Sequence, residues 1–266
     1  MRILRTVEEV RATLPRDGVG LVPTMGALHA GHVALFDAAR RECDTVVASI
    51  FVNPAQFSPD EDFERYPRDE GSDAAIAEKA GVDYVFAPSA EEMYPDGFQT
   101  WVEVEEISTW LEGAARPGHF RGVATVCLKL FNIVRPMRAY FGQKDAEQAA
   151  VLERLVADLN LDLEIRVVAT VRDEDGLAVS SRNAYLSAEE REAALSLPQA
   201  LRAGTDAHAR GADPLEAARA ILAAEPGLAP EYVGLERLDG RVYLLAAARV
   251  GHTRLIDNVV LEGEQP

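Results

Sequence analysis

Two histidines spaced as His29-Ala30-Gly31-His32 stand where the apolar run Val19-Gly20-Leu21-Val22 gives way to Pro23-Thr24-Met25-Gly26-Ala27-Leu28 and then to a helical pattern. Paired imidazoles at the mouth of a helix can donate hydrogen bonds to a polyphosphate as negative charge builds on it. Unpaired N–H groups and the helix dipole favour an anion there, and Gly26 and Gly31 let a phosphate or purine come close to the backbone. An isolated His-x-Gly-His reads instead as a helix cap that fills space. Its position after a buried strand is what turns the reading toward chemistry.

Three further segments offer complementary groups. Gly142-Gln143-Lys144-Asp145-Ala146-Glu147-Gln148 places an ammonium at another strand end, where it can meet a phosphate or carboxylate; the alternative is a solvated lysine beside a helix cap. Val179-Ser180-Ser181-Arg182-Asn183 offers hydroxyls and a guanidinium for a pyrophosphate, or a polar turn before a helix capped by Ser187 and Glu190. In Asn53-Pro54-Ala55-Gln56-Phe57 the Gln56 amide can bind a hydroxyl or carboxylate, and a plain structural turn reads equally well. Arg116-Pro117-Gly118-His119-Phe120-Arg121-Gly122 reads as a basic loop in an acidic chain, suited to a polyanion or simply to the surface.

These groups need a scaffold that brings strand ends to one edge. Strand-like runs over Val19–Pro23, Thr45–Phe51, Asp83–Ala87, Arg138–Gly142 and Leu163–Val168 alternate with helical patterns over His32–Arg41, Asp73–Ala80, Val123–Val134 and Ala146–Leu159. That alternation predicts an α/β fold with a Rossmann-like parallel sheet. Beyond about Thr170 it stops. Helical segments Ala188–Ala203 and Pro214–Ala224 precede strands over Tyr232–Leu238, Arg241–Leu245 and Arg254–Leu261, with Asp239-Gly240 as a hairpin turn. The expectation is a Rossmann-like domain over residues 1–170 and a smaller α+β C-terminal domain over 171–266, joined by a short hinge at Thr170 to Asp175.

The 266 residues carry a formal net charge of -17 with 48% hydrophobic and 27% charged residues, a globular composition whose dispersed negative charge repels nucleic acid and anionic lipid. No stretch approaches the roughly 20 apolar residues of a membrane span, and no signal peptide is apparent, so neither membrane nor nucleic acid is an expected partner. Cys43 and Cys127 are expected to pack rather than to bridge or bind metal, consistent with a cytoplasmic protein.

Taken in order, PTMGALHAGH, FVNPAQF, RPGHFRGVAT, FGQKDAEQ and VRDEDGLAVSSRNAYLS resemble the pantoate–beta-alanine ligases, within the wider nucleotidylyltransferase superfamily that shares the H-x-G-H motif. The resemblance spans about Gly20 to Ser187. It implies an ATP-dependent ligase that condenses D-pantoate with beta-alanine through a pantoyl adenylate, with magnesium required and a homodimer as the assembly. Residues carried over are Met25, Gly26, Ala27, Leu28, His29, Ala30, Gly31 and His32 for ATP, with His32 as proton donor and His29 and Lys144 also catalytic. Gly142, Gln143, Lys144, Asp145, Val171, Val179, Ser180, Ser181 and Arg182 complete the ATP set, Gln56 contacts pantoate and beta-alanine, and Gln148 contacts pantoate. The smaller domain is then a lid carrying Ser180, Ser181 and Arg182, which would keep water from the mixed anhydride. Glu147 and Val179 depart from the family pattern, which puts one polar contact near pantoate and the packing at ATP in question. The metal ligands are unknown, with Asp73 a candidate assistant. Another H-x-G-H nucleotidylyltransferase and a non-catalytic ATP-binding regulator remain alternatives.

Overall fold

The computed structural model describes residues 1–59 and 61–265. Residues Val19–Thr24 and Thr45–Ile50 are nearly unbroken apolar runs because the strands they form are covered on both faces. The strands are β1 (Arg2–Leu4), β2 (Val19–Thr24), β3 (Thr45–Ile50), β4 (Tyr84–Phe86), β5 (Arg138–Gly142) and β6 (Glu164–Val168); helices in this half are α1 (Val7–Thr13), α2 (Ala30–Glu42), α3 (Glu70–Lys79), α4 (Ala90–Met93), α5 (Leu111–Ala115), α6 (His119–Val134) and α7 (Ala146–Asp158). All six strands pair in parallel, in the order β1-β4-β3-β2-β5-β6.

Side chains alternate between the two faces. Val19, Leu21, Val47, Phe86, Ala139 and Phe141 pack with α1, α6 and α7, while Val22, Val46, Ala48, Val85 and Tyr140 pack with α2 and α3. The strands and helices expected in this half are all present, whereas the one helix expected over Ala188–Ala203 is two, Ala188–Ala194 and Ser196–Ala209, parted at Leu195. The sequence reading omitted β1, α1, α4 and α5, and α6 begins at His119 rather than at Val123.

Strand order reverses between β2 and β5, which makes their carboxyl ends the topological switch point where ligands settle in such sheets. The two strands pair only at Gly20↔Arg138 and Leu21↔Ala139, whereas β2 follows β3 as far as Thr24↔Ile50. Thr24 turns its amide to Ser49 Oγ and its carbonyl to the Phe51 amide, both on the β3 side. Alternation therefore turns Pro23 toward β5, where it has no N–H to donate, and the two strands part there.

Chain contacts divide the protein into one unit of Met1–Gly142 with Glu147–Val168 and a second of Gln143–Ala146 with the chain from Ala169 onward. The second unit holds α8 (Ala188–Ala194), α9 (Ser196–Ala209) and α10 (Pro214–Ala224) and an antiparallel sheet in the order β7 (Leu228–Leu238), β8 (Arg241–Val250), β9 (Thr253–Glu262). Asp239 and Gly240 both take positive φ, as a two-residue hairpin turn requires. Ser187 and Glu190 form the expected capping box on α8. Residues 171–179 fold into a tight ribbon in which the Val179 amide donates to the Val171 carbonyl and Arg191 bridges Asp173 and Asp175.

Cys43 and Cys127 are free and buried, and burial pushes the Cys127 thiol up to about 12. Among the described residues no helix is long and apolar enough to cross a membrane.

Candidate active site

The turn after β2 is built around left-handed backbone. Gly26 has φ +82 and Ala27 has φ 51, a conformation that is strained for alanine. Thr24 Oγ1 accepts the Gly26 amide at 3.1 Å and donates to the Ser49 carbonyl at 2.7 Å, which fixes the turn's first half. Its second half is fixed from α3: Asp73 Oδ2 accepts the Ala27 amide at 2.9 Å and Oδ1 the Leu28 amide at 2.7 Å. Asp73 is only 3% exposed, and a Cβ on Gly26 would come within 2.6 Å of its Oδ2. Asp73, suggested as an assistant to magnesium, places both carboxylate oxygens against backbone N–H groups of the turn.

His29 is the N-cap of α2. Its Nδ1 accepts the Gly31 amide at 3.1 Å, while His32 Nδ1 accepts the His29 amide at 3.2 Å, giving a capping box made of two imidazoles with ring centroids 4.1 Å apart. A ring nitrogen that accepts an N–H carries no proton, so each neutral ring holds its proton on Nε2. Cap and donor are thus the same residues. The Gly31 amide is taken by His29, so it is not among the unpaired amides expected at this helix start.

Gln56 sits at the end of a 3-10 turn over Pro54–Gln56 whose cap is buried Asn53. Its Nε2 donates to Met25 Sδ at 3.1 Å and its Oε1 accepts from Asn53 Nδ2 at 3.0 Å, which joins the Gln56 segment to the turn after β2. Asn53 is held in turn by the Tyr94 hydroxyl at 2.8 Å and the Gly122 carbonyl at 3.2 Å. Gly122 has no room for a side chain, because a Cβ would lie 2.2 Å from the Ala55 carbonyl oxygen.

Beside Gln56 lies a cleft of about 230 Å³ whose lining includes Trp101, Arg116, His119 and Arg121. The expectation of a basic loop over residues 116–122 does not survive. Arg116 forms ion pairs with Glu61 at 2.6 Å and Glu112 at 3.3 Å, and His119, Phe120 and Gly122 are buried in α6. Burial and then the Arg116 charge lower the His119 pKa to about 4, so its neutral Nδ1 meets the Gln56 carbonyl at 2.9 Å as a donor. Arg121, stacked 4.6 Å over Trp101, is a cation on this rim.

Gln148 is half-buried in the first turn of α7, next to Glu147. The Glu147 carboxylate accepts the Glu112 amide, with oxygens at 3.2 and 3.3 Å, and so serves α5.

In the second unit Lys144, Ser180, Arg182, Asn183 and Asp257 line one small cavity. Lys144 Nζ lies 3.0 Å from Asp145 Oδ1. Ser180 caps the 3-10 turn Ser181–Tyr185 by accepting the Arg182 amide at 3.3 Å. Val171 and Val179 are partners in the ribbon that leads into this turn.

The family model for pantoate–beta-alanine ligase matches residues 2–260. The chain belongs to that family. The ligase is 54% identical to the pantothenate synthetase of Chloroflexus aurantiacus, covering 99% of each chain, and 53% identical to that of Moorella thermoacetica, covering 98% of this chain and 99% of the other. It superposes on the pantothenate synthetase of Thermus thermophilus with a TM-score of 0.96 at 48% identity, over 99% of this chain and 100% of that one. A Francisella tularensis pantoate–beta-alanine ligase, solved with beta-gamma ATP and beta-alanine, matches with a TM-score of 0.84 at 36% identity and 99% coverage of both chains. Membership makes this an ATP-dependent ligase of pantothenate biosynthesis and sets aside both the other nucleotidylyltransferase and the non-catalytic regulator.

Asp73, in the role of turn anchor, and Asn258 are residues the sequence reading missed. A carboxylate inside a helix reads as a solvated face, and nothing in the spacing links it to a turn 45 residues earlier.

Proposed function

We propose that this ligase joins pantoate to beta-alanine in two steps. In the first, a pantoate carboxylate oxygen attacks the α-phosphorus of ATP, the bond to the β,γ-pyrophosphate breaks, and pantoyl adenylate forms. In the second, the beta-alanine amine attacks the acyl carbon, AMP leaves with the bonding electrons, and the amine's surplus proton passes to solvent. Activation is needed because a carboxylate offers a poor leaving group to an amine.

In the first unit Met25, Gly26, Ala27, Leu28, His29, Ala30, Gly31, His32 and Gly142 take the nucleotide, and Gln56 and Gln148 take pantoate. Gln56 also faces beta-alanine; its bond to the Met25 thioether, a weak acceptor, is one it can trade for a substrate oxygen. In the second unit Gln143, Lys144, Asp145, Val171, Val179, Ser180, Ser181 and Arg182 supply positive charge and donors to the phosphates. The observation that carries this reading is the paired cap of His29 and His32 at the switch point, which commits both Nδ1 atoms to the backbone and fixes where the two imidazoles stand at the start of α2.

Magnesium enters as part of the MgATP substrate. Asp73 is engaged with the turn, and among the described residues no group of three or more His, Cys, Asp or Glu side chains forms a cage. Magnesium bound chiefly by phosphate oxygens and water suits that donor set. A homodimer, the commonest symmetric assembly, and a reducing cytoplasm that keeps both thiols free complete the proposal.

The test is pantoate-dependent exchange of labelled pyrophosphate into ATP, followed by pantothenate and AMP formation on adding beta-alanine. Exchange that ignores pantoate, or responds equally to unrelated small acids, would overturn the assignment.

A further inference from the structure

Asn258, in β9, has no place among the nucleotide-contacting residues, yet its side chain is spent entirely on the turn that carries Lys144. It is 2% exposed. Its Nδ2 donates to two consecutive carbonyls, Gln143 at 2.8 Å and Lys144 at 2.9 Å, and its Oδ1 accepts from Gln143 Nε2 at 3.3 Å. An amide is the one small side chain with two donors and an acceptor in a plane, so it can hold two carbonyls and return a bond to the same segment. The neighbouring Asp257 takes Arg172 in a bidentate ion pair at 2.7 and 3.0 Å and accepts the Asn258 amide at 2.8 Å. Arg172 begins the ribbon between Val171 and Val179 that leads into Ser180–Arg182. One dipeptide of β9 therefore grips both polar loops of the second unit, and all of these residues lie within that unit.

We infer that Asn258 is a positioning residue for adenylation: it fixes the backbone of Gln143 and Lys144 so that the Lys144 ammonium is presented to the phosphates, with Asp257 and Arg172 fixing the adjoining loop. The inference rests on the reading of Lys144 as a phosphate-binding group. A clamp on backbone carbonyls sets where the Cα–Cβ bond of Lys144 points, and a misplacement of about 1 Å at a reacting centre costs on the order of 100-fold in rate.

The experiment is a double-mutant cycle on pantoate-dependent ATP–pyrophosphate exchange using Asn258→Ala, Lys144→Ala and the pair, with Asn258→Asp as a near-isosteric second variant that turns an acceptor toward the two carbonyls. Asn258→Ala is expected to lower the exchange kcat on the order of 10- to 100-fold with less effect on the KM for pantoate. In the Lys144→Ala background the same change should have little further effect, because the group it positions is gone. Independent, multiplying losses would overturn the inference while leaving the role of Lys144 intact. Near-normal exchange in Lys144→Ala alone would instead overturn the reading of Lys144. Thermal melts accompany each variant; if Asn258→Ala and Asn258→Asp both fail to fold, Asn258 is a folding residue and the inference falls.

Discussion

Removing the Asp73 carboxylate tests whether its two hydrogen bonds, rather than propensity, hold the turn after β2 in its left-handed shape. Two short hydrogen bonds, at 2.9 and 2.7 Å, join it to the Ala27 and Leu28 amides, and Leu28 is itself buried. Hydrogen bonds to a charged group contribute about 1.5–3 kcal/mol each, so truncation removes about 3–6 kcal/mol, part of which entering water restores. We expect Asp73→Ala to lose about 3 kcal/mol and Asp73→Asn, which keeps one acceptor, about half of that. Ala27 adds to the demand, since left-handed backbone costs a non-glycine residue about 1–2 kcal/mol. With the anchor gone the turn relaxes, and pyrophosphate exchange should fall on the order of 100-fold in Asp73→Ala, less in Asp73→Asn. Urea unfolding and exchange, both at neutral pH, read the two effects. Unchanged exchange in Asp73→Ala would refute the anchor. A defect abolished by excess magnesium would show that the carboxylate serves the metal after all.

His32→Gln should retain more exchange activity than His32→Ala, whose loss is on the order of 100-fold, because glutamine can place an N–H near the position of Nε2; equal rates would argue against donation from that atom. His119 has its pKa lowered to about 4 from 6.5, so the unfolded chain binds the proton more tightly: its contribution is complete above about pH 6.5 and fades as pH falls toward 4. The span amounts to about 3 kcal/mol, and His119→Gln should flatten the acid limb of the urea midpoint against pH. Gly122→Ala should push α6 away from the Pro54–Gln56 turn, costing about 1–3 kcal/mol and weakening pantoate binding as read by KM. Asp257→Ala leaves a half-buried Arg172 without its partner and should destabilise the second unit by about 3 kcal/mol, visible in its melting.

What the sequence made legible follows from how each element is encoded. β2, β3 and β5 announce themselves as apolar runs because both faces are covered, and the hairpin at Asp239-Gly240 is written in residues that accept positive φ. β1 has only Arg2, Ile3 and Leu4, too few for any period, but the Thr6–Glu9 capping box of α1 was a readable signal. The four residues that start α6 read as a loop because Pro117-Gly118 precedes them, although Gly118 is the helix's own left-handed cap. At the site, the H-x-G-H turn and its neighbours were visible from residue type and order. The side chains that hold them, Asp73 and Asn258, were not: their partners are backbone atoms, which leave no residue type to recognise.

The grip of β9 on the Lys144 turn also bears on how the protein comes into being. A ribosome delivers Lys144 long before Asn258, which lies 114 residues downstream, so the turn stays unanchored in the nascent chain until β9 has been made. Loss of β9 alone would spare every residue proposed to meet substrate and would still leave that lysine without its anchor.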